Sequence, residues 1–218
     1  MKITWIGHSA LKLEGSKTVF IDPFITGNPA AAFDLGSVKA ADVVIVTHDH
    51  GDHLGDSFTI CKKTGATLVA IFEIAEAGAK KGIKAEGMNI GGTVTVDGVS
   101  VSLVPALHTA NLGGTATGAV VEMDGKKVYH SGDTGLTMEM LLIGEMYTPD
   151  IAFLPIDGRF NMDPRLAAKA VELLKIPRVV PIHYNTFPLV ESSPEKFKEL
   201  VGGKSEVTII KPGEFIEI

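Results

Sequence analysis

Four consecutive β-branched residues, Val43–Val46, run directly into Thr47-His48-Asp49-His50-Gly51-Asp52-His53. An unbroken apolar run of that length reads as a strand buried on both faces. The polar segment after it is then a loop at the strand's C-terminal end, where side chains can converge without obeying the pleat. Three imidazoles and two carboxylates crowd positions 48–53, a density costly to bury without a cation. His48 and His50 can turn toward one ion while Asp52 and His53, displaced along the loop, reach a second. Gly51 is expected to permit the tight backbone this requires.

The 218 residues suit one domain spanning 1–218 with ample length for a packed core. No run approaches the roughly twenty apolar residues that span a bilayer. The start, Met1-Lys2-Ile3-Thr4-Trp5, lacks the apolar segment of a signal peptide, so a soluble, cytoplasmic protein without membrane partners is expected. The single cysteine, Cys61, excludes an internal disulfide framework and reads as a small buried hydrophobe. A net charge of −6 argues against broad nucleic-acid binding. Neither a phosphate loop nor a dinucleotide fingerprint is present.

Residues 2–6, 10–14 and 18–22 read as a β-meander between turn signals at Gly7, Gly15 and Pro23. Residues 23–41, carrying prolines and glycines, form a long irregular connection and a candidate flap. Helices are expected at 56–63 and 73–81 with a strand at 67–71 between them. Hairpins follow at 94–96/99–104 and 118–123/126–131, turning at Asp97-Gly98 and Asp124-Gly125. A helix at 137–146 and a strand at 150–154 come next. Asp163-Pro164 then starts a helix with Leu166, Ala170, Val171 and Leu174 on one face. After a strand at 178–182, Ser193-Pro194-Glu195 starts a helix to about Leu200, and strands at 206–210 and 214–218 close the chain. The pattern gives α/β, two sheets face to face with helices outside.

His108, Asp133, His183 and, less clearly, Asp157 end predicted strands with ligand-type side chains, so residues far apart in sequence can meet at one sheet edge. His48-x-His50-x-Asp52-His53 resembles the signature of the metallo-β-lactamase superfamily, whose members are mostly binuclear metallohydrolases. The resemblance implies an αββα four-layer sandwich. It implies one metal on His48, His50 and His108, a second on Asp52, His53 and His183, and Asp133 bridging the two. Gly7-His8-Ser9 resembles the start of a branch related to ascorbate-6-phosphate lactonase.

The expected cofactors are two divalent ions, zinc first, with manganese, iron or nickel tolerated by the same donors. The expected reaction is hydrolysis of a small ester, lactone or phosphoester by a metal-bridging hydroxide, with Asp52 steering or relaying a proton. His8 is read either as lining the cleft or as a structural polar contact, and His8 or His130 could donate a proton to the leaving group; His130 reads equally well as a core histidine. Asp22 is expected to orient a ligand imidazole and Asp49 to be solvated. Arg159, with Asp157 and Asn161 in the cleft-rim loop, is read either as a clamp for a substrate anion or as a surface ion pair. A small-molecule substrate is favoured over a nuclease or phosphodiesterase of the same fold and over a non-catalytic metal-binding module. Association into a homo-oligomer is left open.

Overall fold

The computed structural model describes residues 1–111 and 114–218. The first sheet takes β1 (Lys2–Gly7), β2 (Ala10–Glu14), β3 (Thr18–Ile21), β4 (Val43–Val46), β5 (Thr67–Ile71) and β6 (Ala85–Met88). The second takes β7 (Thr93–Val96), β8 (Val99–Pro105), β9 (Thr117–Met123), β10 (Lys126–His130), β11 (Ile151–Pro155), β12 (Arg178–Ile182) and β13 (Glu206–Val207). β14 (Phe215–Glu217) returns to pair with β1, so each sheet has seven strands.

The two sheets share a logic. Each opens as an antiparallel meander and then becomes parallel, switching at β3 in the first and at β10 in the second. The central parallel strands are buried on both faces: β4, β5 and β11 are buried along their whole length. That burial explains their continuous apolar sequences. Helices α2 (Ser57–Thr64) and α3 (Phe72–Ala79) pack on the first sheet. On the other side α4 (Glu139–Tyr147), α5 (Pro164–Leu174) and α6 (Pro194–Val201) pack against one another. Side chains of both sheets join one apolar core, giving layers in the order helix, sheet, sheet, helix.

Local signals acted as expected at several points. Asp163 caps α5 by accepting from the Leu166 N–H at 2.7 Å, and Ser193 caps α6 by accepting from the Lys196 N–H at 3.1 Å. Asp97-Gly98 and Asp124-Gly125 both carry positive φ, the geometry of two-residue hairpin turns.

Three expectations need correction. β6 has no signal in Ala85-Glu86-Gly87-Met88, because its residues are weak strand formers held in place by parallel pairing with β5. The strand expected at 206–210 shrinks to the two residues of β13. The irregular stretch after β3 is tied down: the Asp56 carboxylate accepts from the Ile25 and Thr26 N–H groups, and Ala32 N–H donates to the Ile6 carbonyl.

Candidate metal centre

The strand ends that carry ligand-type residues meet on one edge of the sandwich. The histidine loop follows β4, Asp22 follows β3, Asp133 follows β10, and His183 follows β12. The loop itself is one helical turn, α1 (Gly51–Leu54), with His50 at its N-cap and His53 buried beneath. Gly51 is not where conformational freedom is needed, since its φ is ordinary and a Cβ there would meet open space. The demand falls on Gly55, at φ +41°, where a Cβ would come within 2.7 Å of the Phe24 Cα and Pro23 carbonyl oxygen.

Ligand-type atoms lie in overlapping groups. His48, His50 and His108 form one, and His8, Asp52, His53 and His183 another; His48, His53 and Asp133 join them. His48 Nε2 and His50 Nδ1 are 3.0 Å apart. Asp133 Oδ1 lies 3.2 Å from His53 Nε2, and its Oδ2 lies 3.2 Å from His183 Nε2 and 3.6 Å from His108 Nε2. Yet His53 Nε2, His183 Nε2 and Asp133 Oδ1, all buried, form no aligned hydrogen bond. Atoms that approach closely without aiming at each other share a point between them. The edge of a tetrahedral shell with bonds of about 2.0–2.1 Å is about 3.3 Å.

A second layer fixes which nitrogen of each ring faces that point. Buried Asp22 accepts from His53 Nδ1 at 2.8 Å and from the Thr47 hydroxyl at 2.6 Å. With its own proton committed, Thr47 Oγ1 accepts from His48 Nδ1 at 3.1 Å. One carboxylate thus directs the Nε2 lone pairs of both His48 and His53 into the centre, as expected of Asp22 and more. Asp157 faces His183 from the corresponding side as an ion-pair partner, its Oδ2 standing 3.1 Å from Nδ1.

Electrostatics agree. Burial alone would lower the pKa of His53, but Asp133 and Asp22 overcome it and push the ring up to about 10. His183 is likewise raised against burial by Asp133. Asp133 is held well below its usual range, against its own burial, by the facing His183 and His53 rings. The positive charge these carboxylates draw onto the rings is the charge a bound cation would supply. His48, deprived of solvent and beside His53, is pushed down to about 3, a neutral ligand form.

A match to the family described as "Beta-lactamase superfamily domain" covers residues 17–184. The chain belongs to this superfamily. It is 50% identical over 222 residues to a UPF0173 metal-dependent hydrolase of Korarchaeum cryptofilum, covering 100% of both chains. A UPF0173 metal-dependent hydrolase of Pyrococcus furiosus is 49% identical over 225 residues, again with 100% of both covered. Igni18, a metallo hydrolase of Ignicoccus hospitalis, superposes with a TM-score of 0.93 at 42% identity, covering 99% of this chain and 97% of that one. The four-layer sandwich is the metallo-β-lactamase fold, and the chain is one of the UPF0173 metal-dependent hydrolases.

In this hydrolase three residues sit otherwise than the sequence led one to expect. His130 is wholly buried; its Nδ1 accepts from the Gly132 N–H at 3.0 Å and its Nε2 donates to the Ser9 carbonyl at 2.8 Å. With both nitrogens committed to backbone it has no atom for a leaving group; it is a core histidine, the other of its two readings, and not a catalytic residue. His8 is 1% exposed rather than cleft-lining: Nε2 donates to Asp52 Oδ2 at 3.0 Å, and Thr186 Oγ1 donates to Nδ1 at 2.9 Å. It is a prop beneath Asp52, pushed down to about 4 by burial despite that bond. Asp49 is buried, not solvated; its Oδ1 accepts from the Asn111 N–H at 2.7 Å and its carbonyl from Asn111 Nδ2 at 3.1 Å. No sequence signal marks the distant partners: Asp52 and Thr186 lie 44 and 178 positions from His8, Asn111 lies 62 from Asp49, and Ser9 lies 121 from His130.

Asp52 is the most open of the acidic groups in the centre. Burial would raise it, but His183 and His8 hold it below its normal range, so it stays a carboxylate at the cleft surface. That cleft, about 400 Å³, is lined by His50, Asp52, His108, Asp133 and His183 together with Thr109 and Phe160. Cys61 is buried as expected. Among the described residues no helix is long and apolar enough to cross a membrane.

Proposed function

We propose that this chain is a binuclear hydrolase of small esters, lactones or phosphoesters. One divalent ion would be held by His48, His50 and His108, and a second by Asp52, His53 and His183. Asp133, whose two oxygens face His53 on one side and His108 and His183 on the other, would be shared. The observation that carries the reading is the set of buried, closely approaching donors that make no aligned hydrogen bond. Zinc suits an imidazole and carboxylate set without thiolate. When bound, two such ions supply Lewis-acid polarisation of the substrate oxygen and an acidified water as nucleophile.

The chain's own residues do the rest. Asp22 fixes the tautomers of His48 and His53, and Asp157 pairs with His183, so that the centre is preorganised before substrate arrives. Asp52 keeps its charge at the cleft floor, where it can accept a proton from the attacking water and orient it. His8 holds that carboxylate in place from below. Lactones are included because Gly7-His8-Ser9 carries the lactonase-like resemblance. A reducing, cytoplasmic setting fits the single buried thiol.

The test is metal analysis of purified protein, followed by assay against lactones, phosphodiesters and thioesters. Two ions per chain are expected, with hydrolysis of at least one substrate class abolished in His48→Ala. A His48→Ala variant as active as the parent on the best substrate overturns the assignment.

A further inference from the structure

Beside the polar centre stands an apolar wall that the metal chemistry does not use. Phe160 lines the cleft and is 53% exposed, so its ring face is open to whatever enters there. It is also held firmly. The Asp157 carboxylate that faces His183 through Oδ2 accepts, through Oδ1, from the N–H groups of Arg159 at 2.9 Å and Phe160 at 2.8 Å. Asn161 Nδ2 donates to the same carboxylate at 2.8 Å, and the Arg159 guanidinium lies over the Phe160 ring at 5.6 Å from its centroid. The loop closes through Gly158 N–H to the Met162 carbonyl, and Met162 N–H reaches the Thr134 carbonyl, next to Asp133. Leu107, adjacent to His108, is 64% exposed and covers Gly135 on the same 134–135 segment.

We propose that the loop 157–161 is the specificity element of this site, and that Phe160 receives an apolar or aromatic substituent carried next to the scissile bond. This rests on the hydrolase reading above. The anchoring gives the reason. One carboxylate stands against His183 and holds the backbone that carries the ring, so the distance from the reacting centre to Phe160 is built in rather than left to a mobile loop. A rigid aromatic surface costs little entropy to use, and a substrate ring or alkyl chain laid on it loses water from both partners. Arg159 serves here as a brace over the ring. Asp157 is a positioning residue for the loop and for His183 at once.

The experiment titrates the metal-loaded enzyme with acetate, octanoate and phenylacetate, whose carboxylates can occupy the metal centre while only the last two carry an apolar group. In the parent, octanoate and phenylacetate should bind at least about tenfold more tightly than acetate. Phe160→Ala should close that gap, and Phe160→Leu should restore it for octanoate more than for phenylacetate, with metal content equal in all three proteins. Because the ring is half exposed, its removal leaves the core intact. With hydrolysed substrates the loss should fall on KM more than on kcat. Equal affinity for all three acids in the parent, or a gap that survives Phe160→Ala, overturns the proposal. A retained gap in a protein that hydrolyses nothing sinks the hydrolase reading and leaves the apolar subsite standing.

Discussion

Asp22 and Asp133 take opposite nitrogens of the single His53 ring, Asp22 Oδ2 at 2.8 Å from Nδ1 and Asp133 Oδ1 at 3.2 Å from Nε2. Each aspartate follows the strand at which its own sheet changes from antiparallel to parallel. The imidazole is therefore the point where the two halves of the sandwich meet chemically. Asp22 differs from Asp133 in also reaching His48 through Thr47, so it orients a ring in each of the two proposed ligand sets.

Asp22→Asn should weaken metal binding about 10–100-fold, as removal of such a supporting carboxylate does elsewhere. Chelator competition reads this directly. An unchanged affinity would mean that Thr47 and the backbone alone orient the rings.

Metal removal should cost stability as well as activity. Ions at about 100 times their dissociation constant add about 2.7 kcal/mol per site, and for a chain of this size each kcal/mol moves Tm by about 2–4 °C. Two sites predict a fall of roughly 10–20 °C on chelation, restored by zinc, in a thermal melt. A melt indifferent to chelator would contradict a buried metal centre.

Gly132→Ala should destabilise the fold by about 2 kcal/mol or more. Its φ is +60°, and a Cβ would come within 2.4 Å of the Thr117 carbonyl oxygen, one residue before Asp133. Gly51→Ala is the control: it lies between His50 and Asp52 but meets open space, so urea unfolding of the chelated protein should change by about 0.5 kcal/mol or less.

His130 carries a pH signature. Burial lowers its folded pKa, so the neutral ring stabilises the fold above the unfolded value of about 6.5, and that contribution falls away as acid protonates the unfolded chain first. The stability advantage of the parent over His130→Gln should therefore shrink between pH 7.5 and pH 5.5, by up to about 1.4 kcal/mol. Urea unfolding of the chelated proteins at the two pH values checks it, and a gap that widens on acidification would mean the ring is charged inside the fold.

That the seven residues proposed as ligands would meet was legible because their signals are local: strand ends, a dense histidine loop, and a motif that resembles a known signature. Asp22 was legible for the same reason, sitting at the end of β3. Asp49 lies opposite to its sequence reading, and His8 and His130 stayed open between two readings, since each is defined largely by partners brought from elsewhere in the chain, and nothing beside a histidine in sequence tells whether both its nitrogens are already committed. Phe160 passed unnoticed because an aromatic residue in a loop has no meaning until the opposite wall of the cleft is in view.

Residue order alone determined the buried strands β4, β5, β11 and β12, the two Asp-Gly hairpin turns, the helix caps at Asp163 and Ser193, and the presence of a metal-competent loop. Hydrogen bonds and side-chain periodicity over a few residues suffice for those. Only the tertiary structure decided which ring nitrogens face one another, that Asp157 binds His183 and the Phe160 loop together, and that Gly55 rather than Gly51 carries the backbone demand. Those depend on distances between segments that the chain brings together only when the two sheets close on one core.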